Sequence, residues 1–361
     1  FFQAEDGIRD SVASRGLGGI ASHHAERLAD HSAELVGGVD TDEHARREFG
    51  EAWSVPTHET LTEIIDEIDA LLITTPNRYH EEYATTALDA GLDVLVEKPL
   101  AHSLPSAERI ADAARDAAGV CMVGFNYRFA APVDVLTAYR DEGRFGEINH
   151  IEANYVRRRG IPGRGSWFTD QDIAGGGALI DIGVHAIDLA LCVLGFPEVV
   201  EVSATTRAAF GTRDDYSYMH MWGDDEGPDA FDVEDSASAF LRTADGATVS
   251  LEVAWATNRP RTDEYVIRGS DAGAIYDRKS EELTIFETHT TGGQHFTETD
   301  VDTPDRNSHA AELAYFLDHV ARDMQPARNT VEQGLAVQRV IEAIYRSADR
   351  DRAVQVTTAD E

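Results

Sequence analysis

Three side chains able to move or balance a proton interrupt a run that is otherwise apolar. In GGGALIDIGVHAIDLALCVLG, residues 175–195, Asp181, His185 and Asp188 stand at i, i+4 and i+7. On a helix starting at Ala178 this spacing puts all three on one face. A helix that is apolar nearly all round is buried, and buried charge is costly unless partnered, so the stripe is expected to face a wet or liganded cavity. Three uses fit these residue types. One is acid–base catalysis, for which a histidine titrating near neutrality is suited. Another is a satisfied structural Asp–His pair. The third is a pair of metal ligands, although no third ligand stands nearby.

A second chemical group stands at 97–99. EKP follows LDVLV, so Glu97 and Lys98 project from the carboxyl end of a strand, the edge where open α/β sheets bind ligands. Of the 31 basic residues only Lys98 and Lys279 are lysine. A chain that uses arginine almost everywhere keeps a compact, titratable ammonium here. Downstream, RRRGIPGRGSWF at 157–168 offers Arg157 and Trp167; Trp167 stacks on a sugar ring or staples its loop to the core.

These groups need a frame, and the pattern supplies one. GLGGIA at 16–21 fits G-x-G-x-x-A, with Gly16, Leu17, Gly18, Gly19 and Ile20 forming a turn that lets a pyrophosphate approach a helix N-terminus. Asp40 follows 24 residues after Gly16, at the end of the strand AELVGGVD, where a carboxylate accepts ribose hydroxyls and repels a 2′-phosphate. NAD is therefore favoured over NADP. DALLITTP reads as a parallel strand buried on both faces. It ends in Thr74, Thr75, Pro76 and Asn77, small or polar residues beside which a ribose and nicotinamide fit. His80 either joins them or caps the following helix. Helical patterns at 42–50, 79–90 and 103–118 alternate with the strands, which predicts a doubly wound parallel sheet. After about residue 125 the rhythm changes. Helical patterns at 132–142 and 178–194 accompany long alternating runs at 147–158, 199–210, 235–256 and 263–287, which predict an open, mostly antiparallel sheet. Residues 211–235 read as an acidic surface excursion, and helices return at 308–323 and 330–348.

Residues 1–15, FFQAEDGIRDSVASR, do not read as the apolar first strand that such a fold needs. Glu5, Asp6, Arg9, Asp10 and Arg15 interrupt it, and the segment resembles translated sequencing-adapter sequence. It is expected to be a non-native leader, leaving the first-strand position vacant or poorly filled.

A net charge of −35 repels phosphate backbones and anionic lipid, so roles on nucleic acid or a membrane surface are disfavoured. The acidic, lysine-poor composition is that of a surface adapted to high salt, as in a halophilic archaeon. Cys121 and Cys192 lie far apart in apolar segments and read as buried thiols of a reducing, cytoplasmic compartment.

In order and spacing, GLGGIA, Asp40, TPNxxH, EKP, GFNYRF and GGGxLxDxGxHxxD resemble the Gfo/Idh/MocA oxidoreductases, the glucose–fructose oxidoreductase and inositol dehydrogenase group, from about residue 16 to 349. The resemblance implies a Rossmann domain over 16–125 and a substrate-binding and oligomerisation domain over 126–361. It implies NAD or NADP as cofactor, a sugar or cyclitol substrate, and a homodimer or homotetramer. Lys98, Asp181 and His185 take the catalytic roles, and Asn126, Tyr127, Arg128, Arg157 and Trp167 are expected at the substrate. A related NAD-dependent glycosidase and a non-catalytic sugar-binding descendant remain open.

Overall fold

The computed structural model describes residues 11–28, 31, 33–219, 221 and 223–356. The chain divides into two compact units, residues 1–126 with 307–335, and residues 127–306 with 336–361. A late segment, residues 307–335, thus groups with the first unit.

The first unit carries six parallel strands: β1 (Ser11–Arg15), β2 (Glu34–Val39), β3 (Thr57–His58), β4 (Ala70–Ile73), β5 (Asp93–Glu97) and β6 (Cys121–Gly124). Their order is β3-β2-β1-β4-β5-β6. Helices α1 (Gly19–Leu28), α2 (Glu43–Trp53), α3 (His80–Asp89) and α4 (Leu104–Asp116) join them, as parallel crossovers require. Every residue of β4 is buried. The edge of β6 is closed by the returning segment: Asn329 Nδ2 donates to Val123 O at 2.9 Å, and Val123 N donates to Asn329 O at 2.9 Å. That contact satisfies backbone groups that an open edge strand would expose.

The leader expectation is overturned for residues 11–15. They form the central strand, paired in parallel with β2 and β4, with Val12, Ala13 and Ser14 almost fully buried. The charge expected to spoil the strand is handled at its end. The Arg15 guanidinium lies 4.1 Å from the centre of the Tyr83 ring, donates to Tyr83 Oη, and donates to Val39 O at 3.1 Å. Glu5, Asp6, Arg9 and Asp10 lie outside the described residues.

The second unit is built on a nine-stranded sheet. Its strands are β7 (Ile148–Val156), β8 (Val199–Arg207), β9 (Ser236–Thr243), β10 (Thr248–Ala254), β11 (Thr262–Gly269), β12 (Ala272–Asp277), β13 (Glu282–His289), β14 (His295–Asp300) and β15 (Val354–Gln355). The order is β14-β13-β12-β11-β7-β10-β9-β8-β15, antiparallel except for β7 with β10. Alternating burial along β10 and β11 turns one face to the core. Helix α5 (Ala131–Asp141), the short α6 (Gln171–Ala174) and α7 (Val184–Leu194) belong to this unit, and α7 packs across β7 and β10. The stretch Gln171–Leu194 is long and apolar enough to cross a membrane, but 89% of its most apolar window is buried inside the protein, as in a core helix. Helix α8 (Ser308–Arg322) lies in the first unit, and α9 (Val331–Arg350) runs from the first into the second.

Candidate active site

In the first unit the glycine loop leaves room for a diphosphate. Gly16 has φ +89°, and a Cβ there would lie 2.7 Å from Thr75 N, so only glycine fits. A Cβ on Gly18 or Gly19 would meet nothing within 4 Å, which leaves open space at the N-terminus of α1, where a diphosphate is favoured. Ile20 is exposed on the same turn. Thr74 braces the loop by donating to Gly16 O at 2.5 Å. Thr75 Oγ1 is buried with no partner among the described residues, an available hydrogen-bonding group beside the loop. Pro76 and Asn77 follow it, Asn77 buried. Asp40 is partly engaged already: it accepts from Leu17 N at 2.7 Å and from Asp42 N at 2.9 Å. A carboxylate has about four acceptor sites, so ribose hydroxyls still have places to bind.

Lys98, half-buried, follows β5. Its segment is tied to two neighbours. Glu97 Oε1 meets His24 Nε2 of α1 at 2.8 Å. Burial works to raise the Glu97 carboxyl, but the hydrogen bond from His24 and the charges of His24, His309 and Lys98 outweigh it and hold it below the usual range. His309 of α8 is pushed down to about 4, chiefly by burial, and faces Asn126 Nδ2 at 3.2 Å. On the other side His80 is buried, with Nδ1 2.9 Å from Pro99 O and Nε2 3.0 Å from Thr75 O. Burial lowers its pKa. The ring stands between two backbone carbonyls, which places His80 as a strut between the Thr75 and Pro99 segments. The Asn126 amide nitrogen donates to Ser308 Oγ at 3.1 Å and meets His309 Nε2 at 3.2 Å within the first unit.

In the second unit the expected stripe is divided. The segment begins with a π-helical turn, Leu179–Gly183, before α7, where an uninterrupted α-helix was expected. Gly183 lets the turn approach β10: a Cβ there would lie 3.3 Å from the Val253 side chain. Glu234 anchors the start, accepting from Gly177 N at 2.9 Å, Leu179 N at 2.8 Å and Tyr345 Oη at 3.1 Å. The glycines before it are obligatory. A Cβ on Gly176 would lie 1.9 Å from Tyr345 Oη, and one on Gly177 would lie 1.9 Å from Glu234 O.

Asp188 is fully buried against Arg128, whose Nε lies 3.0 Å and 3.1 Å from its two carboxylate oxygens. Burial raises the Asp188 carboxyl, and Arg128 draws it back. Arg128 is 1% exposed and is held in this pair. The remaining polar groups do gather. The Tyr127 ring stacks on His185 at 4.1 Å, 15° from parallel, and the Arg278 guanidinium lies 4.1 Å from the centre of the same Tyr127 ring. Asp181 accepts from Trp255 Nε1 at 2.9 Å and lies 3.8 Å from Arg157 Nη1. Trp167 stacks on its neighbour Phe168 at 3.7 Å. A buried imidazole stacked on a tyrosine can accept a proton, and a carboxylate four residues earlier, held by an indole N–H and a guanidinium, can balance the resulting charge. Sequence reasoning missed His24, His309, Glu234, Trp255 and Arg278, each of which reaches its partner from a distant element.

Residues 11–125 match the model of an oxidoreductase family with an NAD-binding Rossmann fold, and residues 135–275 match the GFO/IDH/MocA C-terminal domain. D-glucoside 3-dehydrogenase of Escherichia coli is 32% identical over 293 residues, which span 80% of this chain and 79% of that protein. The chain belongs to the Gfo/Idh/MocA oxidoreductase family. Levoglucosan dehydrogenase of Pseudarthrobacter phenanthrenivorans, another relative, is 32% identical over 62% of this chain and 60% of its own length. A solved levoglucosan dehydrogenase in complex with NADH and L-sorbose superposes with a TM-score of 0.84 at 24% identity, covering 96% of this chain and 98% of that one, which shows the shared fold. The first unit of this Gfo/Idh/MocA chain is thus an NAD-binding Rossmann domain, and its central strand lies within the matched region.

Proposed function

We propose that the protein oxidises a secondary hydroxyl of a sugar or cyclitol, with NAD as the preferred acceptor, in the cytoplasm of a salt-adapted cell. The observation that carries this reading is the pair of held groups on one helical segment: His185, stacked on Tyr127, and Asp181, held by Trp255 and Arg157. NAD, when bound, takes the hydride from the carbinol carbon. Gly16, Gly18, Gly19, Thr75 and Asp40 would hold it, and the Asp40 carboxylate disfavours a 2′-phosphate. His185 accepts the hydroxyl proton, and Asp181 balances the imidazolium. Lys98 stabilises the developing alkoxide oxygen, with its segment braced by the Glu97–His24 and His80 contacts. Arg157, Tyr127 and Trp167 contact the sugar. Sugar substrates in the names of the D-glucoside and levoglucosan dehydrogenases support the substrate class. The buried cysteines Cys121 and Cys192, not joined in a disulfide among the described residues, suit a reducing compartment.

The test is NADH formation from aldoses, inositols and nucleotide sugars in multimolar KCl. Net NADH with a matching keto product supports the reading. Cleavage of a glycoside without net NADH would replace it with the glycosidase alternative, and binding without turnover would make the chain a sugar-binding descendant.

A further inference from the structure

We propose that a basic cavity in the second unit holds the phosphate or diphosphate group of a phosphorylated sugar substrate; this rests on the sugar-oxidoreductase reading above. The cavity encloses about 740 Å³ and is lined by Arg157, Arg158, Arg159, Arg261 and Lys279, together with neutral residues such as Ser217. All five charged residues of the lining are basic, in a chain where 66 acidic residues outnumber 31 basic ones. One of them, Lys279, is among the chain's two lysines.

The charges are left for a ligand. Elsewhere arginines are answered by carboxylates, as in Arg109 with Glu81, Arg115 with Glu332, Arg164 with Asp225 and Arg278 with Asp263. Among the described residues of this lining only Arg157 has one, Asp181 at 3.8 Å. Arg159 is fixed by neutral partners: it donates to Thr257 O at 2.5 Å and Asn258 Oδ1 at 2.7 Å, with its guanidinium 4.7 Å from the Phe210 ring centre. Arg158, Arg261 and Lys279 are exposed, with no carboxylate partner among the described residues. Holding like charges together is unfavourable without a counter-anion. Four arginines and one lysine match a phosphate ester or diphosphate, which carries at least two negative charges and presents oxygens to planar guanidinium forks. A single carboxylate, as in a uronic acid, would leave most of the charge unanswered.

Arg157 connects this cavity to the chemistry, because it lines the wall and also stands beside Asp181. A sugar with its phosphate among the arginines has its ring directed toward Asp181 and His185. The reaction balances without a further reagent. The secondary alcohol loses a hydride from carbon to the oxidised nicotinamide and a proton from oxygen to His185, which gives a ketone, NADH and one released proton, with the phosphate ester unchanged. The cavity size lies within the range of pockets that enclose a whole small ligand.

The experiment compares kcat/KM for glucose, glucuronate, glucose 6-phosphate and UDP-glucose in the wild type and in the triple variant Arg158→Gln, Arg261→Gln, Lys279→Gln. All three side chains are exposed, so the variant is expected to fold, which circular dichroism checks. In the wild type a phosphorylated sugar should exceed glucose by about 10²-fold or more, and the triple variant should erase most of that advantage, as expected for three charge-assisted contacts. Equal kcat/KM for phosphorylated and neutral sugars, or an advantage that survives in the triple variant, would overturn the phosphate site while leaving the oxidoreductase reading intact. If none of the four is oxidised, calorimetry with glucose 6-phosphate and UDP-glucose decides the site separately. Binding that the triple variant loses supports it; absence of binding to the wild type overturns it.

Discussion

Glu234 should make the stability of this protein depend on pH in a way that one substitution removes. Its carboxyl is 8% exposed and anchors the turn that leads to Asp181, accepting from Gly177 N, Leu179 N and Tyr345 Oη. Burial raises it from an ordinary 4.5 to about 7, against the pull of those donors. The folded chain therefore keeps this proton up to about pH 7, whereas the unfolded chain releases it near pH 4.5. Between those values the folded state binds more protons, so stability from this group falls as pH rises and stays at its lower level above pH 7. The span between the two values corresponds to about 3 kcal/mol. Glu234→Gln cannot titrate. Relative to the parent, its stability should rise by about 3 kcal/mol from below pH 4.5 to above pH 7, whatever offset the lost acceptor introduces. Urea titrations of both proteins across that window, at constant ionic strength, measure the difference, in which all other titrating groups cancel. Parallel stability–pH curves, or a gap changing in the opposite sense, would refute the reasoning.

Other perturbations follow from the same geometry. Asp40→Ala should relax discrimination against NADP and also weaken NAD binding, since it removes the acceptor of Leu17 N as well as a ribose contact; an unchanged NAD/NADP ratio of kcat/KM would mean that Asp40 is not the ribose residue. Asp188→Asn should destabilise the protein by about 3–5 kcal/mol, because it strands the buried Arg128 guanidinium. A thermal or chemical melt within error of the parent would contradict that assignment. Lys98→Met should lower kcat by about 10²–10⁴-fold with little change in melting temperature, as measured by NADH formation and thermal denaturation; near-parental turnover would remove Lys98 from the chemistry.

Much of this architecture is legible along the chain because local physics enforces it. The continuous apolar run at Ala70–Ile73 becomes a strand buried on both faces, and Asp40 and Lys98 stand just past the ends of β2 and β5 where the pattern puts them. Strand β1 escapes a sequence reading for a definite reason. Charge in a central strand is costly, yet β1, Ser11–Arg15, carries only Arg15, which is relieved at the strand end by Tyr83 and Val39 O. Asp188 misleads in the opposite sense: its partner, Arg128, lies sixty residues earlier, so a sealed ion pair looks like part of a wet stripe. His24, Glu234 and Trp255 carry no local signal, because their roles arise only when α1 meets β5 or when β10 and the loop before β9 meet the π-helical turn.

The central claim, that this Gfo/Idh/MocA chain oxidises a sugar hydroxyl to a ketone while NAD is reduced to NADH, with His185 as the base, is tested most directly by single-turnover NADH formation. The best substrate from the sugar screen is mixed with enzyme and NAD, for the wild type and for His185→Ala, with NAD affinity measured in parallel. The account predicts one NADH and one keto sugar per substrate consumed by the wild type. It predicts a rate about 10²–10⁴-fold lower in His185→Ala, with NAD affinity little changed. Substrate consumed without net NADH, or a variant as fast as the wild type, would contradict it.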